Sequence, residues 1–315
     1  MIKIAFTADS HIGQVQYGMS FRAKDYAKSF DEVLLKAKEL HCDYAILGGD
    51  IFHNTNPSAD AVRTVKHWVE NFSNDSFHRV LSIDGNHDSS CGKWMGICGA
   101  IPLGLWRTGP FEMLDKDNPN SKFNKRLKIY GIDGGETDKI LFELKFFATT
   151  KYLNYDTNIL VLHLPLKEMA NFSTQVSCEQ IVKIIKHTNV KLILLGDIHD
   201  GKETVVDGIR FIYSGSPEIT TINENPNKSF LVVSASLNSE NEWMFDVQRI
   251  PIHTRSQISI TVVSENDVQM LQEHLIGESM FHIKYNTSLS DIKKRITTIA
   301  KNSGVYFRTI PIYHK

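Results

Sequence analysis

The sequence predicts a layered α/β protein made of one large domain and a smaller α/β unit. Over roughly the first two thirds of the chain, short apolar runs alternate with stretches whose apolar residues recur at helical spacing. Beyond about residue 255 the pattern becomes a compact strand–helix–strand–helix–strand series. We therefore predict a domain over residues 1–254 and a small C-terminal α/β cap over residues 255–315.

The first elements follow one another in strand–helix order. Strands are predicted at Ile2–Phe6, Tyr44–Leu47 and Val80–Ile83, because each is a short apolar run. The helix after the first strand has a buried stripe formed by Tyr26, Phe30, Val33, Leu34 and Ala37. Pro57 opens the helix after the second strand, and Ser58 is its predicted N-cap. The buried stripe of this helix is formed by Val62, Val65, Trp68, Val69 and Phe72.

Residues 89–126 show no clean period and are predicted to be a long insertion. Two buried strands follow at Ile159–Leu162 and Leu192–Leu195, and the helix between them is marked by Ile181, Val182, Ile184 and Ile185. Phe230–Val233 and Trp243–Val247 are predicted to form a hairpin. The cap elements are predicted as strands Ile258–Val263, Met280–Tyr285 and Val305–Ile310 and helices Asn266–Leu275 and Leu289–Lys301.

The composition is that of an ordinary globular protein, with 42% hydrophobic and 23% charged residues. No apolar run approaches the roughly 18 residues that a membrane span requires, and the N-terminus lacks a signal-peptide pattern. The four cysteines form no CxxC pair, so a cytoplasmic protein is expected. A net charge of −1 argues against a strong freestanding DNA binder, although it leaves the substrate open.

Polar clusters follow five of the predicted strands. They are Asp9 with His11, Asp50 with His53, Asn86 with His87, His163 alone, and Asp197 with His199. Because ligand sites form where the carboxyl ends of α/β strands converge, we expect these side chains to meet. Mixed carboxylate, imidazole and amide ligands suit Mn²⁺, Fe²⁺ or Zn²⁺ better than an all-oxygen Mg²⁺ cage. A pair of such ions can clamp a phosphate and activate water, which indicates phosphoester hydrolysis.

The five clusters resemble, in order, the motifs of calcineurin-like metallophosphoesterases. The matching segments are Asp9-Ser-His11, Gly48-Gly-Asp50, Gly85-Asn-His87-Asp88, His163 and Gly196-Asp-Ile-His199. Two further stretches resemble SbcD-type nuclease subunits: residues 49–53 followed by Pro57-Ser58, and residues 213–217 with Lys228-Ser-Phe230. The resemblance implies a four-layered α/β/β/α sandwich and a Mn²⁺-dependent DNA exo/endonuclease of repair and recombination.

The resemblance also implies a role for each site residue. Asp9, His11 and His199 would hold one metal, Asn86 and His163 the other, and Asp50 would bridge both. His87 would lie over the scissile phosphate and help protonate the leaving oxygen, and His53 would orient substrate or support His87. Asp84 and Asp88 flank the third motif and are expected to cap or orient it.

The partners implied by the resemblance are DNA, a second copy of the chain and an SMC-like ABC ATPase of the SbcC type. The cap would help present DNA ends. Relatives usually continue beyond the cap into helices that grip the ATPase coiled coil, whereas this sequence ends at Lys315. We therefore expect the ATPase to dock through other surfaces or more loosely.

One position departs from the family pattern. The last motif usually reads Gly-His-x-His, and here Asp197 replaces its first histidine. Three carboxylates (Asp9, Asp50 and Asp197) against two divalent ions leave one net positive charge, where the usual histidine would leave two. We expect a less electrophilic second metal and a preference shifted from Zn²⁺ toward Mn²⁺.

Two other functions stay open from the sequence alone. The five motifs are shared with phosphodiesterases that act on small molecules, and only the SbcD-like segments and the cap favour DNA. A scaffold that has lost catalysis is the second alternative. The presence of His87 and Asp50 argues against the scaffold.

Overall fold

The computed structural model describes residues 1–73, 78–88, 93–103, 111–113, 127–149, 157–240, 242–287 and 291–313. The contacts of the chain divide it into two compact units. The first consists of Met1–Glu218 with Asn227–His253, and the second of Ile219–Pro226 with Thr254–Lys315. None of the helices in these ranges has the length and apolar character needed to cross a membrane.

Strands and helices alternate along most of the first unit. In chain order they are β1 (Ile2–Thr7), α1 (Ser20–Glu39), β2 (Tyr44–Gly48), α2 (Ala59–Phe72), β3 (Arg79–Ile83), α3 (Lys93–Ile97), β4 (Ile101–Pro102), β5 (Phe111–Met113), β6 (Leu127–Ile132), α4 (Thr137–Ala148), β7 (Thr157–His163), α5 (Cys178–Ile185), β8 (Val190–Gly196), β9 (Lys202–Val206), β10 (Ile209–Tyr213), β11 (Lys228–Leu237) and β12 (Trp243–Ile252).

These strands form two mixed six-stranded sheets, with the orders β12-β11-β1-β2-β3-β4 and β5-β6-β7-β8-β10-β9. In the first sheet β1, β2 and β3 are mutually parallel, and in the second β6, β7, β8 and β10 are parallel. Parallel strands of this kind are buried on both faces, which explains their continuous apolar sequences.

Three apolar clusters fill the spaces between four layers. The central cluster joins the facing sides of the sheets, with Phe6 and Ile46 from one and Val161 and Leu194 from the other. A second cluster lies between the first sheet and helices α1 and α2, and a third between the second sheet and helices α4 and α5. The first unit is therefore an α/β/β/α sandwich, as predicted.

The second unit has a three-stranded parallel sheet of its own. Its strands are β13 (Gln257–Val262), β14 (Met280–Asn286) and β15 (Tyr306–Ile312), paired in that order. Helices α6 (Glu265–His274) and α7 (Ile292–Asn302) supply apolar residues to the core of this unit. Ser264 caps α6 in a reciprocal capping box with Asp267.

Most of the predicted elements are confirmed, with bounds that shift by a few residues. Ser58 is the N-cap of α2, and its side chain accepts a hydrogen bond from the Ala61 N–H. The segment 89–126, predicted to be a long insertion, contains α3, β4 and β5 among its described residues. The elements β6, α4, β9 and β10 were not predicted from the sequence.

Candidate metal centre

The predicted site residues lie directly after parallel strands of the two sheets. Asp9 and His11 follow β1, Asp50 and His53 follow β2, Asn86 and His87 follow β3, His163 ends β7, and Asp197 and His199 follow β8. Because β1, β2 and β3 are parallel in the first sheet and β7 and β8 are parallel in the second, the carboxyl ends of each set share an edge. The predicted convergence of the five strand ends is therefore present.

Two carboxylate-containing groups of these residues have ligand atoms close enough to hold a cation, and a third group is formed by His11, His53 and His87. The potential ligand atoms of Asp9, His11 and His199 all lie within 4.8 Å of one another, as do those of Asp9, Asp50 and His163. The Nε2 atoms of His11 and His199 are 3.2 Å apart. Asp9 belongs to both groups, so the two candidate cation positions are adjacent.

Asn86 and Asp197 lie on the His163 side of the cluster. Asn86 Nδ2 donates a hydrogen bond to Asp197 Oδ1 at 3.1 Å. The same Asp197 oxygen is 3.7 Å from His163 Nε2. The residue that replaces the usual histidine therefore adds a third carboxylate to the surroundings of His163.

His163 provides a test of whether the cluster fits a metal. Its Nδ1–H donates to the Gly48 carbonyl at 2.9 Å. Its Nε2 is buried without a hydrogen-bond partner among the described residues. Carboxylate oxygens of Asp50, Asp197 and Asp9 surround that nitrogen at 3.4, 3.7 and 3.9 Å. A nitrogen that faces three carboxylates needs a proton or a metal cation between them, and a divalent metal ion can take the place of the proton.

Burial and the charges of neighbouring residues shift the pKa values of the cluster. Burial opposes protonation of His163, but the three neighbouring carboxylates, Asp50 first, raise its pKa to about 10. Burial raises the pKa of Asp9 to about 6. Burial and the nearby His199 lower the pKa of His11 to about 3, which leaves a neutral imidazole suited to bind a metal. For Asp50, burial is outweighed by His163, and its pKa falls below the usual range.

Four of these residues have left-handed backbone conformations although they are not glycine. The φ angles of Asp9, His11, Asp50 and Asp197 are 55°, 44°, 50° and 93°. Such a conformation costs about 1–3 kcal/mol per residue and persists where neighbouring contacts impose it. The N–H of Asp9 donates to Gly49 and the N–H of Asp197 donates to the Asp9 carboxylate, both at 3.0 Å. Backbone hydrogen bonds of the loops after the strands thus hold these candidate metal ligands in position.

Asp88 ties two of the loops together. Its buried carboxylate accepts hydrogen bonds from the backbone N–H groups of Phe52, Ile51 and Gly85 at 2.8, 3.0 and 3.1 Å. Gly85 leaves the room that this requires, because a Cβ there would lie 2.2 Å from both the backbone nitrogen and Oδ1 of Asp50. Asp88 therefore orients its motif through the backbone.

His87 and His53 form a pair beside the cluster. The His87 side chain is 46% exposed, its Nδ1–H donates to the His53 carbonyl at 2.8 Å, and its Nε2 is 4.0 Å from Asp50 Oδ2. The two rings stack at an interplanar angle of 17° with centroids 5.4 Å apart. Burial and the repulsion from His87 lower the pKa of His53. The exposed imidazole of His87 thus lies beside the Asp50 carboxylate.

Sequence reasoning missed a group of buried polar residues behind His199, centred on Arg22 and Glu218. A signal for Arg22 was available, because it lies four residues before Tyr26 on the apolar stripe of α1, and its side chain has no exposed surface. A charged residue on a buried stripe requires a partner. Glu218 had no comparable signal, since it lies in a loop nearly two hundred residues away.

The calcineurin-like phosphoesterase family profile matches residues 2–201. The DNA double-strand break repair protein Mre11 of Archaeoglobus fulgidus is 26% identical over 234 residues, which cover 71% of this chain and 52% of that protein. Mre11 of Methanosarcina acetivorans is 26% identical over 311 residues, which cover 96% of this chain and 48% of that protein. The chain therefore spans about half the length of the curated relatives it matches.

Among solved structures, GAP50, the anchor in the inner membrane complex of Plasmodium, superposes with a TM-score of 0.51. It is 11% identical, and the match covers 80% of this chain and 89% of that one. At this identity the similarity concerns the fold alone. The family match includes all five strand-end clusters and extends over well over half of the sequence. The chain accordingly belongs to the calcineurin-like phosphoesterase family.

Proposed function

We propose that this protein is a metal-dependent DNA nuclease of the Mre11/SbcD type, which hydrolyses phosphodiester bonds with water. The observation that carries the proposal is the buried His163 Nε2, which faces three carboxylates, an arrangement in which a divalent metal ion can replace a proton. The choice of DNA over a small phosphodiester is supported by the similarity to Mre11 proteins, one of which aligns with nearly the whole chain.

In this proposal the cluster would hold two divalent ions. Asp9, His11 and His199 would hold the first, Asn86, His163 and Asp197 would hold the second, and Asp50 would be shared between them. Two bound ions would supply an activated water and would stabilise charge on the attacking and leaving oxygens. Mn²⁺ is the proposed ion because the ligands mix nitrogen with carboxylate oxygen, while Mg²⁺, Fe²⁺ and Zn²⁺ are the alternatives for the metal assay.

His87 is proposed to act on the leaving oxygen. Its Nδ1–H is held by the His53 carbonyl, so Nε2 is the nitrogen left to meet a substrate. Once protonated, Nε2–H can donate a hydrogen bond to a phosphate oxygen and pass its proton to the departing 3′ or 5′ oxygen. His53 stacks on the ring and limits its rotation, which makes it a positioning residue in this proposal.

The proposed partners follow from the family resemblance and the Mre11 similarity. They are DNA, a second copy of the chain in a homodimer, and an SMC-like ATPase of the SbcC type that controls access of DNA. A bacterial or phage-infected cytoplasm is the proposed location. A net charge of −1 suits a nuclease that depends on its metals and partners for much of its grip on DNA.

The first test is hydrolysis of labelled single- and double-stranded DNA by the purified chain with Mn²⁺. His87→Gln should lower kcat about 10²- to 10⁴-fold, the range typical of lost acid–base catalysis, while metal content stays unchanged. His67→Gln is the matched control, because His67 is an exposed histidine on α2. Its activity should equal that of the wild type.

Bis-p-nitrophenyl phosphate, a small phosphodiester, separates the alternatives. Turnover of this compound without cleavage of DNA, with or without an added SbcC-type ATPase, would replace the nuclease proposal by a small-molecule phosphodiesterase. Binding of metal without turnover of either substrate would favour the scaffold.

A further inference from the structure

The backbone carbonyl of His199 is held by two buried donors. The Ser216 N–H donates to it at 3.0 Å, and the Lys228 ammonium donates to it at 3.1 Å. Lys228 is 3% exposed and also donates to Ser216 Oγ at 3.1 Å. Burying an ammonium group costs free energy unless polar atoms replace its hydration. Here a carbonyl and a hydroxyl do so, and the carbonyl belongs to a proposed metal ligand.

The Ser216 hydroxyl continues the chain of contacts away from His199. It donates to the Glu218 backbone carbonyl at 2.7 Å. The Glu218 carboxylate accepts hydrogen bonds from Ser29 Oγ at 2.6 Å and from Arg22 Nη2 at 3.0 Å. The side chains of Arg22 and Glu218 are 0% and 1% exposed, so this ion pair is completely desolvated.

Arg22 extends the contacts to the segment that follows His11. Its Nε donates to Gln16 Oε1 at 2.7 Å, and its Nη1 donates to Asp25 Oδ2 at 2.7 Å. The guanidinium thus joins helix α1, the segment after β1 and the loop after β10. Its planar fork of five donors suits such a three-way contact, which a lysine cannot reproduce.

The loop after β10 also fits closely against the His199 loop. Gly215 has a φ of +79°, and a Cβ there would lie 2.8 Å from the His199 carbonyl oxygen and 2.9 Å from the Gly201 nitrogen. Only glycine tolerates this conformation and this approach without strain. This close packing is a second observation, independent of the charged residues. It also indicates that the loop after β10 and the His199 loop are held rigidly together.

We propose that the buried polar chain from Arg22 through Glu218 and Ser216 to Lys228 is a positioning network for His199. It fixes the backbone from which the imidazole projects, so that its nitrogen stays beside that of His11, 3.2 Å away. The inference rests on the proposed function only in taking His199 as a metal ligand. Networks that orient metal ligands typically contribute ~10–100-fold to metal affinity or activity.

The test compares the metal affinity of Lys228→Met with that of the wild-type full chain. Mn²⁺ binding is measured by calorimetry and by the Mn²⁺ electron paramagnetic resonance spectrum. We expect the weaker of the two Mn²⁺-binding steps to show ~10–100-fold lower affinity in the variant. Turnover of bis-p-nitrophenyl phosphate should fall at limiting Mn²⁺ and recover at saturating Mn²⁺, because the ligands themselves are intact.

Lys3→Met is the matched control. Lys3 is a half-buried lysine that donates to a backbone carbonyl, that of Leu40, at 3.1 Å, and it lies at the opposite end of β1 from Asp9. The Lys3→Met variant should be less stable than the wild type and should bind Mn²⁺ with wild-type affinity. Ser216→Ala serves as a second, milder variant should Lys228→Met fail to fold. Affinity equal to the wild type in the folded variant, despite lowered stability, would overturn the inference.

The readout is independent of DNA cleavage. A wild-type chain that binds Mn²⁺ but cuts no DNA contradicts the nuclease proposal and leaves the comparison of affinities intact. A chain that cuts DNA with equal Mn²⁺ affinity in Lys228→Met contradicts the positioning network and leaves the nuclease proposal intact.

Discussion

Asp197 is the residue at which the electrostatics of this site differ from the family pattern. Its carboxylate lies beside the Asn86 amide and 3.7 Å from His163 Nε2, so it adds negative charge where the pattern has a neutral imidazole. Carboxylate favours harder ions such as Mn²⁺, whereas imidazole favours Zn²⁺. The identity of this one side chain therefore bears on the choice of metal.

We predict that Asp197→His shifts the metal preference toward Zn²⁺ by about tenfold, the lower end of the range for altered metal surroundings. Metal content after competitive loading with equal Mn²⁺ and Zn²⁺ measures the shift. Asp207→His is the control, because Asp207 is also an aspartate with a left-handed backbone (φ 49°) but lies in an exposed turn. An unchanged Mn²⁺/Zn²⁺ ratio in Asp197→His would refute the electrostatic argument.

Asp88 illustrates a residue that shapes the site without binding a metal. We predict that Asp88→Asn lowers the free energy of unfolding by about 1–3 kcal/mol. The amide oxygen replaces only one carboxylate oxygen, so the NH₂ group, which cannot accept, faces either the Phe52 N–H or the N–H groups of Ile51 and Gly85. Urea unfolding measures the change. Asp60→Asn should have almost no effect, since the Asp60 side chain is 84% exposed. Equal stabilities of the two variants would contradict this role.

At the scale of elements, helix α2 provides a direct test of a local rule. The Ser58 side chain accepts from the Ala61 N–H, one of the four N–H groups that a helix start leaves without a helical partner. We predict that Ser58→Ala destabilises the protein by about 1 kcal/mol and that Ser58→Asp, which keeps the acceptor, does not. Thermal unfolding monitored by circular dichroism distinguishes them. A loss of the same size in Ser58→Asp would show that the cap is not the cause.

The elements that were predicted correctly are those whose pattern of apolar residues is explained by burial alone. The strand β2 is apolar because it is buried on both faces, and the helix α2 has one apolar stripe because one face packs on the first sheet. Helix α4 was missed because Phe142 and Phe146 are exposed and blur its stripe, with exposed fractions of 63% and 44%. The β9–β10 hairpin was overlooked although Asp207-Gly208 is a strong turn signal.

The same distinction applies to the candidate site, because some of its residues could be predicted from local sequence patterns and others could not. The proximity of its nine predicted residues could be predicted because each lies at the end of a strand or shortly after it, and parallel strands bring their ends together. The network behind His199 could not, because the pairing of Arg22 with Glu218 depends on where a helix and a distant loop meet in space. Local patterns determine which residues reach the edge of a sheet, whereas long-range contacts determine what supports them.

At the scale of the molecule, each compact unit has a core of its own. The sandwich has three apolar clusters, and the second unit has one, formed by residues such as Leu271, Phe281 and Ile296. A unit with its own core can in principle unfold by itself. This arrangement supports the proposal that residues 1–254 form the catalytic domain and residues 255–315 a distinct cap.

We predict that Phe281→Ala destabilises the second unit selectively, by about 3–5 kcal/mol, because Phe281 is fully buried within that unit's core. Native-state hydrogen exchange should show lower protection in β13–β15 and unchanged protection in β1 and β7. Ile276→Ala is the control, since Ile276 is 73% exposed. If protection falls equally in β1 and β7, the chain unfolds as one cooperative unit, and the proposed division into catalytic domain and cap loses its thermodynamic basis. Selective loss would instead allow the hydrolysis of bis-p-nitrophenyl phosphate to persist while the second unit is unfolded.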